Sequence, residues 1–142
     1  MKKLMLSSLA GIFFLVTAGS AAAAVTFIPP FDGQHKTLTG NEAYYSGGVG
    51  ITERTQMKDM TKGFNLKLIF DTKTGAYLSS VAVKIEDAKG KVLIDTVSQG
   101  PWFSARLPAD NYRITASFDN HKYVRNIKLS QKPQVFILSW TA

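Results

Sequence analysis

Residues 81–97 read VAVKIEDAKGKVLIDTV, and this stretch decides the fold class. In residues 81–86 the larger apolar side chains occupy every second position, a period that is typical of a strand with one buried face. The following DAKGK predicts a tight turn into a second strand over residues 92–97. The stretch therefore predicts a β-hairpin.

The same rhythm extends along most of the chain. Segments rich in Gly, Pro, Asp and Asn separate the strands, and no helical pattern lies between them, which disfavours a parallel α/β sheet. One flat sheet would leave an apolar face in water, so two sheets must pack together. We therefore predict an all-β, seven-stranded antiparallel two-sheet sandwich. The five further strands are predicted within residues 64–70, 102–107, 112–118, 122–129 and 134–140.

One short helix is predicted before the strands. Thr52 can serve as its N-cap, Glu53 suits the first turn, and Gly63 can end it. The side chains predicted to face a core together share helical spacing and are Ile51, Met57, Met60 and Phe64.

Residues 1–24 have the composition of an export signal. Lys2 and Lys3 precede an uncharged, mostly apolar stretch, which ends in four alanines that suit signal peptidase. We predict cleavage after Ala24 and a periplasmic or secreted bacterial protein. An uncleaved membrane anchor is the alternative, but the apolar stretch is interrupted by Ser and Thr and is short for a span of about 20 residues.

Cleavage would leave 118 of the 142 residues, which we divide into an N-terminal extension with the short helix (25–63) and a β-sandwich domain (64–142). It would remove two of the 17 basic residues and none of the 10 acidic ones, so the mature chain stays positive. Export makes nucleic acid an unexpected partner. The absence of cysteine excludes disulfides, thiolate metal sites, a cysteine nucleophile and a lipoprotein anchor.

Four motifs together resemble the carboxypeptidase regulatory-like domain family. They are VKIEDAKGKVL (83–93), GPWF (100–103), LPADNY (107–112) and FILSW (136–140). The resemblance covers residues 64–142. It implies a transthyretin-like, or prealbumin-like, seven-stranded sandwich.

The resemblance also implies a task. The family is non-catalytic, accessory or adhesion-like, and it has no catalytic residues to transfer to this chain. The family usually has Gly where Asp110 stands, so we expect Asp110 to adopt a left-handed backbone at slight cost.

An enzyme is the first alternative. A nucleophilic site would have to use His35 or His121, the two histidines, and no G-x-S-x-G motif is present. Transthyretin-like sandwiches include a hydrolase of a purine-breakdown intermediate, but its terminal Tyr-Arg-Gly-Ser is replaced here by Ser-Trp-Thr-Ala. We therefore predict no catalytic activity.

A copper-binding periplasmic protein is the second alternative. Met57 and Met60 lie three residues apart on one helical face, thioethers suit cuprous copper, and His35 could complete the site. Packing of both methionines in a core explains the same spacing, so we predict no metal and no cofactor.

Aromatic residues beside turns are the candidate binding residues, namely Trp102, Tyr77, Tyr44 and Tyr45. Exposed aromatic rings stack on sugars or anchor protein interfaces, whereas Trp102 and Trp140 could instead fill the sandwich core. Edge strands could also accept a partner's strand. The sequence predicts a non-catalytic binding or accessory module of the cell envelope that recognises a protein or a glycan, and it does not determine the oligomeric state.

Overall fold

The computed structural model describes residue 31, residues 33–38 and residues 40–141. The predicted signal peptide and its cleavage after Ala24 lie outside these residues. Within them the chain forms nine strands and one helix: β1 (Gln34–Thr37), β2 (Ala43–Gly47), α1 (Ile51–Met60), β3 (Leu66–Thr72), β4 (Ala82–Glu86), β5 (Val92–Val97), β6 (Trp102–Arg106), β7 (Asn111–Phe118), β8 (His121–Lys128) and β9 (Gln134–Trp140).

The strands form two sheets that enclose one core. The five-stranded sheet has the order β1-β2-β6-β3-β9, and the four-stranded sheet has the order β5-β4-β7-β8. Apolar side chains of both sheets form a single buried cluster. The prediction of an all-β two-sheet sandwich is therefore confirmed at this level.

The structure differs from the predicted sandwich in two details. The described residues hold nine strands rather than seven, because β1 and β2 extend the five-stranded sheet beyond β6. The chain also departs from a purely antiparallel arrangement, since β9 pairs in parallel with β3, from Leu66 opposite Gln134 to Thr72 opposite Trp140. β2 shows no period of two because both of its faces are covered.

Strand β3 shows why these residues form strands. Leu66, Leu68 and Phe70 are buried in the core, and the residues between them point away from the other sheet. Burying each of these side chains contributes about 1.5–3 kcal/mol to stability. The alternation that predicts the strand therefore also defines the two faces of the sheet.

Helix α1 begins differently from the prediction. Its N-cap is Gly50, which makes no side-chain cap, and Thr52 lies inside the helix. Glu53 does occupy the first turn, where its carboxylate accepts a hydrogen bond of 2.7 Å from the N–H of Val49. The helix ends at Met60, and Gly63 follows with a left-handed φ of 83°.

The prediction of which helix residues face the core is partly right. Met57 and Phe64 are buried and Met60 is half-buried, whereas Ile51 is 80% exposed. At 3.6 residues per turn, Ile51 lies about 120° around the helix from Met57, so the two cannot share one narrow face. No helix among the described residues is long and apolar enough to cross a membrane.

The two Asp-containing turns that the sequence predicts, at Asp87 and Asp110, differ in how they form. The predicted turn after β4 is present, and the Asp87 carboxylate accepts hydrogen bonds of 2.9 Å from the N–H groups of Lys89 and Lys91. After β3 the chain turns at the Thr72 hydroxyl, which accepts a hydrogen bond from the N–H of Ala76, while the Asp71 carboxylate accepts one from the Ser139 hydroxyl of β9. Asp110 does not adopt the expected left-handed backbone.

The Asn65 side chain joins three parts of the five-stranded sheet. It is 3% exposed, and its Nδ2 donates to the carbonyl groups of Leu107 at 2.8 Å and Ser130 at 3.0 Å. Its Oδ1 accepts from the N–H of Leu107 at 3.1 Å. These bonds hold the end of β6 and the loop before β9 against the start of β3.

Replacing Asn65 with alanine should destabilise the fold by about 3 kcal/mol, because it leaves buried backbone groups without partners. Urea denaturation measures the free energy of unfolding. Asn126→Ala, at an exposed position on β8, is the control and should change stability by no more than about 0.5 kcal/mol. Equal losses in the two variants would contradict the role assigned to Asn65.

Candidate functional site

The outer face of the five-stranded sheet, the face turned away from the four-stranded sheet, carries the candidate site. Trp102 lies opposite Ile69, and Ile69 lies opposite Ile137, so these three side chains form one row across β6, β3 and β9. The neighbouring row contains Tyr45, Ser104, Lys67 and Val135.

Trp102 is buried on this outer face. It is 9% exposed but does not belong to the core cluster, whereas Trp140 does. The Lys67 ammonium lies 3.4 Å from the ring centroid of Trp102, and a Cβ at Gly48 would lie 2.9 Å from its Cγ. Trp140 therefore packs in the core, whereas Trp102 lies outside the core, with its ring covered on the outer face of the five-stranded sheet.

The indole N–H of Trp102 is an unusual feature of the site. It is buried and has no hydrogen-bond partner among the described residues. A buried donor without a partner is costly. Lys67 offsets part of this cost through its cation–π contact with the same ring.

Arg54 of α1 connects Trp102 to Tyr77. Its guanidinium carbon lies 4.7 Å from the ring centroid of Tyr77 and 5.8 Å from that of Trp102, and its Nε donates to the Gly48 carbonyl at 2.9 Å. We call Arg54, Lys67, Tyr77 and Trp102 the cation–aromatic cluster. Sequence reasoning selected its two aromatic members but missed its two cations, because no local pattern links residues so far apart in the chain.

The other predicted aromatic residues lie elsewhere. Tyr44 is 4% exposed in the core, where it stacks on Phe103 at 5.3 Å, so it offers no ring to a ligand. Tyr45 is half-buried, and its ring centroid lies 4.2 Å from that of His35 and 5.8 Å from that of Phe64. Tyr77 is 52% exposed and is the member of the predicted set that presents a ring to solvent.

The charge of Lys67 is destabilised at this site. Burial lowers the pKa of its ammonium below the ordinary lysine value, and the positive charge of Lys58 on α1 lowers it further. The cluster is therefore electropositive, and an anionic group beside it would stabilise the charged form of Lys67.

Apolar side chains continue the outer face toward its edge. Val135 and Ile137 are each 57% exposed on β9, next to Lys67 and Ile69. A cleft of about 210 Å³ between the end of α1 and β9 is lined by residues that include Phe64, Lys67 and Val135. The outer face thus offers exposed aliphatic groups beside positive charge.

The residues of the copper alternative do not all share one site. Met57 is 1% exposed inside the protein, while Met60 and His35 line a cleft of about 150 Å³ that does not include Met57. No three His, Asp or Glu side chains among the described residues come together as a metal site.

The histidines of the enzyme alternative lie in different sheets. His35 is on β1 of the five-stranded sheet, and His121 is on β8 of the four-stranded sheet. His121 Nδ1 lies 2.9 Å from the carbonyl oxygen of Asp119, and both histidines are exposed. The two histidines therefore lie on edge strands of different sheets.

A cavity of about 600 Å³ lies at one end of the four-stranded sheet and is lined by none of the predicted binding residues. Its lining carries both signs of charge, including Glu86, Asp87, Arg113 and Lys128. Burial, reinforced by nearby carboxylates, raises the pKa of Tyr112 in this lining to about 12. Its hydroxyl donates to the Pro108 carbonyl at 2.7 Å, so its role here is structural.

Comparisons with known proteins found no match to this chain among protein-family models, curated proteins or solved structures.

Alanine at Gly48 should displace Trp102. Gly48 has a left-handed φ of 91°, and its new Cβ would meet the Trp102 ring. Gly90→Ala is the control, because φ is 84° there and the added Cβ meets nothing. We expect Gly90→Ala to cost about 1 kcal/mol of backbone strain and Gly48→Ala about 1–3 kcal/mol more. Thermal unfolding and tryptophan fluorescence measure the two effects, and equal losses with unchanged emission would contradict the contact.

Lys67 should lose its proton below pH 10.5, the ordinary lysine value. Because the unfolded chain holds this proton more tightly than the folded protein, stability should increase as the pH rises through the lowered pKa toward 10.5. A side-chain NMR titration measures the midpoint. Lys58→Gln should raise it by removing the neighbouring positive charge. A midpoint at 10.5 in both proteins would contradict the assignment.

Proposed function

We propose that this chain is an exported, non-catalytic binding module of the bacterial cell envelope, periplasmic or secreted, which recognises a protein partner through its outer face. The proposal joins the export signal in the sequence to the chemistry of that face. The observation that carries it is the juxtaposition of the cation–aromatic cluster with the exposed aliphatic side chains of Val135 and Ile137.

The composition of the outer face supports a protein partner. Protein interfaces are enriched in aromatic residues and arginine at their centres, and the half-exposed Tyr77 ring with Arg54 against it is such an anchor. A glycan partner would need an uncovered ring for stacking. Trp102 is 9% exposed beneath Lys67, and the half-exposed Tyr77 ring has Arg54 over one of its faces, which favours the protein over the glycan.

The resemblance to carboxypeptidase regulatory-like domains is part of the same proposal. Strands β3–β9 all lie after residue 64, in the region that the resemblance covers, and they contribute to both sheets. We propose a transthyretin-like arrangement for these seven strands, with β1, β2 and α1 as additions to one sheet. An accessory role is what this family would contribute.

Photo-crosslinking in the native host tests the proposed function. A photoreactive phenylalanine analogue at position 77 keeps an aromatic ring there, and the same analogue at Lys89, in the exposed turn of the other sheet, is the control. We expect one envelope protein to be attached in high yield from position 77 and not from position 89. Identical adducts from both positions, or no protein adduct from position 77, would overturn the proposal, and a glycan adduct at position 77 would replace the protein partner with a glycan.

A further inference from the structure

Strand β9 has an edge that is free at Val135 and Ile137, while farther along the same side the Ser139 carbonyl accepts a hydrogen bond from the Tyr123 hydroxyl of β8. The N–H of Gln134 donates to the Asn65 carbonyl at 3.0 Å, and the Trp140 carbonyl accepts from Lys73 at 2.8 Å, both on the β3 side. Backbone groups alternate sides along a strand, so those of Val135 and Ile137 point away from β3. No other described strand pairs with this side of β9.

β9 lacks the sequence features that usually protect an edge strand. Edge strands usually avoid pairing with other chains by carrying lysine, proline or a bulge. β9 reads QVFILSW, with no charged residue and no proline, and its register with β3 is unbroken over seven residues. Val135 and Ile137 are both 57% exposed, so an added strand would also bury apolar surface.

Positive charge lies directly beside the free edge. β8, at the edge of the other sheet, is tied to β9 because Gln134 Nε2 donates to the Lys128 carbonyl at 2.9 Å and Trp140 Nε1 donates to the His121 carbonyl at 3.2 Å. Arg125 lies 5.6 Å from the ring centroid of Phe136. Arg125 is exposed, makes no ion pair with another described residue, and lies opposite Ile114 on the face of β8 that is turned toward the five-stranded sheet, whereas Lys122 and Lys128 lie on the other face of β8.

This charge distinguishes between the two kinds of strand that could pair with β9. A second copy of the chain, pairing β9 with β9 about a two-fold axis, would bring two β8 strands with no acidic residue toward each other. Their like charges would repel. An incoming strand with carboxylates would instead be attracted to β8, while its apolar side chains would cover Val135 and Ile137.

We propose that β9 accepts an extended segment of the partner protein, with alternating acidic and aliphatic residues, as an additional strand of the five-stranded sheet. This inference rests on the proposed function and names the chemistry of the partner. The backbone groups of Val135 and Ile137 supply the hydrogen bonds, and Arg125 of β8 supplies the charge that selects an acidic segment.

A synthetic peptide that alternates Glu and Val over eight residues is the probe, and a peptide that alternates Lys and Val is its control. We expect the acidic peptide to bind the full chain with an affinity that falls as salt is added. Binding should protect the amides of Val135 and Ile137 from hydrogen exchange. The basic peptide should bind at least about tenfold more weakly, a difference of about 1.4 kcal/mol.

Ile137→Pro tests the backbone contact. Proline removes an N–H that points away from β3, so the pairing with β3 is kept, and unfolding by heat verifies that the variant is folded. We expect at least a tenfold weaker affinity for the acidic peptide. Ile137→Thr keeps the N–H and should change affinity less than about threefold.

Arg125→Glu tests the charge. The side chain is exposed on β8, so the variant should fold, and it should prefer the basic peptide. An unchanged preference would overturn the proposed selection of an acidic segment.

Three further results would overturn the added strand. They are amides of Val135 and Ile137 that are already protected in the free protein, a dimer in sedimentation that Ile137→Pro abolishes, and equal peptide affinities of Ile137→Pro and Ile137→Thr. A partner crosslinked from position 77 whose capture is insensitive to Ile137→Pro would leave the proposed function standing without strand addition. If the acidic peptide binds but no partner is crosslinked from position 77, strand addition would stand and the proposed function would be overturned.

Discussion

The parallel pairing of β3 with β9 is the constraint on which the rest of the structure depends. β3 lies between β6 and β9, and the buried Asn65 amide at its start binds the end of β6 and the loop before β9. Since this amide satisfies backbone groups that would otherwise be buried without partners, the positions of both neighbouring strands are set there. The pairing makes β9 an edge strand of the five-stranded sheet.

The outer face follows from that arrangement. Because Lys67 and Ile69 alternate with core residues of β3, they point outward between Trp102 on one side and the exposed side chains of β9 on the other. Helix α1 then adds Arg54 above Trp102. The sandwich thus has a core between its sheets and a second, smaller packed layer outside one of them, where positive charge and aromatic rings are in contact.

Much of the fold could be predicted because the alternation of apolar and polar residues along a strand shows which of its faces is buried. The alternation in β3 and β4 is visible in the sequence, and the turn at Asp87 forms where a tight turn was predicted. β2 could not be recognised in this way, since Tyr44 enters the core while Tyr45 is covered by rings on the opposite face. The direction of β9 relative to β3 could not be predicted either, because the alternation of side chains is the same in parallel and antiparallel strands.

The candidate site could likewise be predicted only in part. The sequence by itself determined that Trp102 and Tyr77 stand beside turns, that β9 carries no charge and that β8 is basic. Only the tertiary structure decided that Trp102 lies outside the core, that Arg54 joins it to Tyr77, and that the neutral and basic strands share one flank. The reason is physical: periodicity records whether a side chain is buried, but contacts between distant segments depend on the order in which the strands pair.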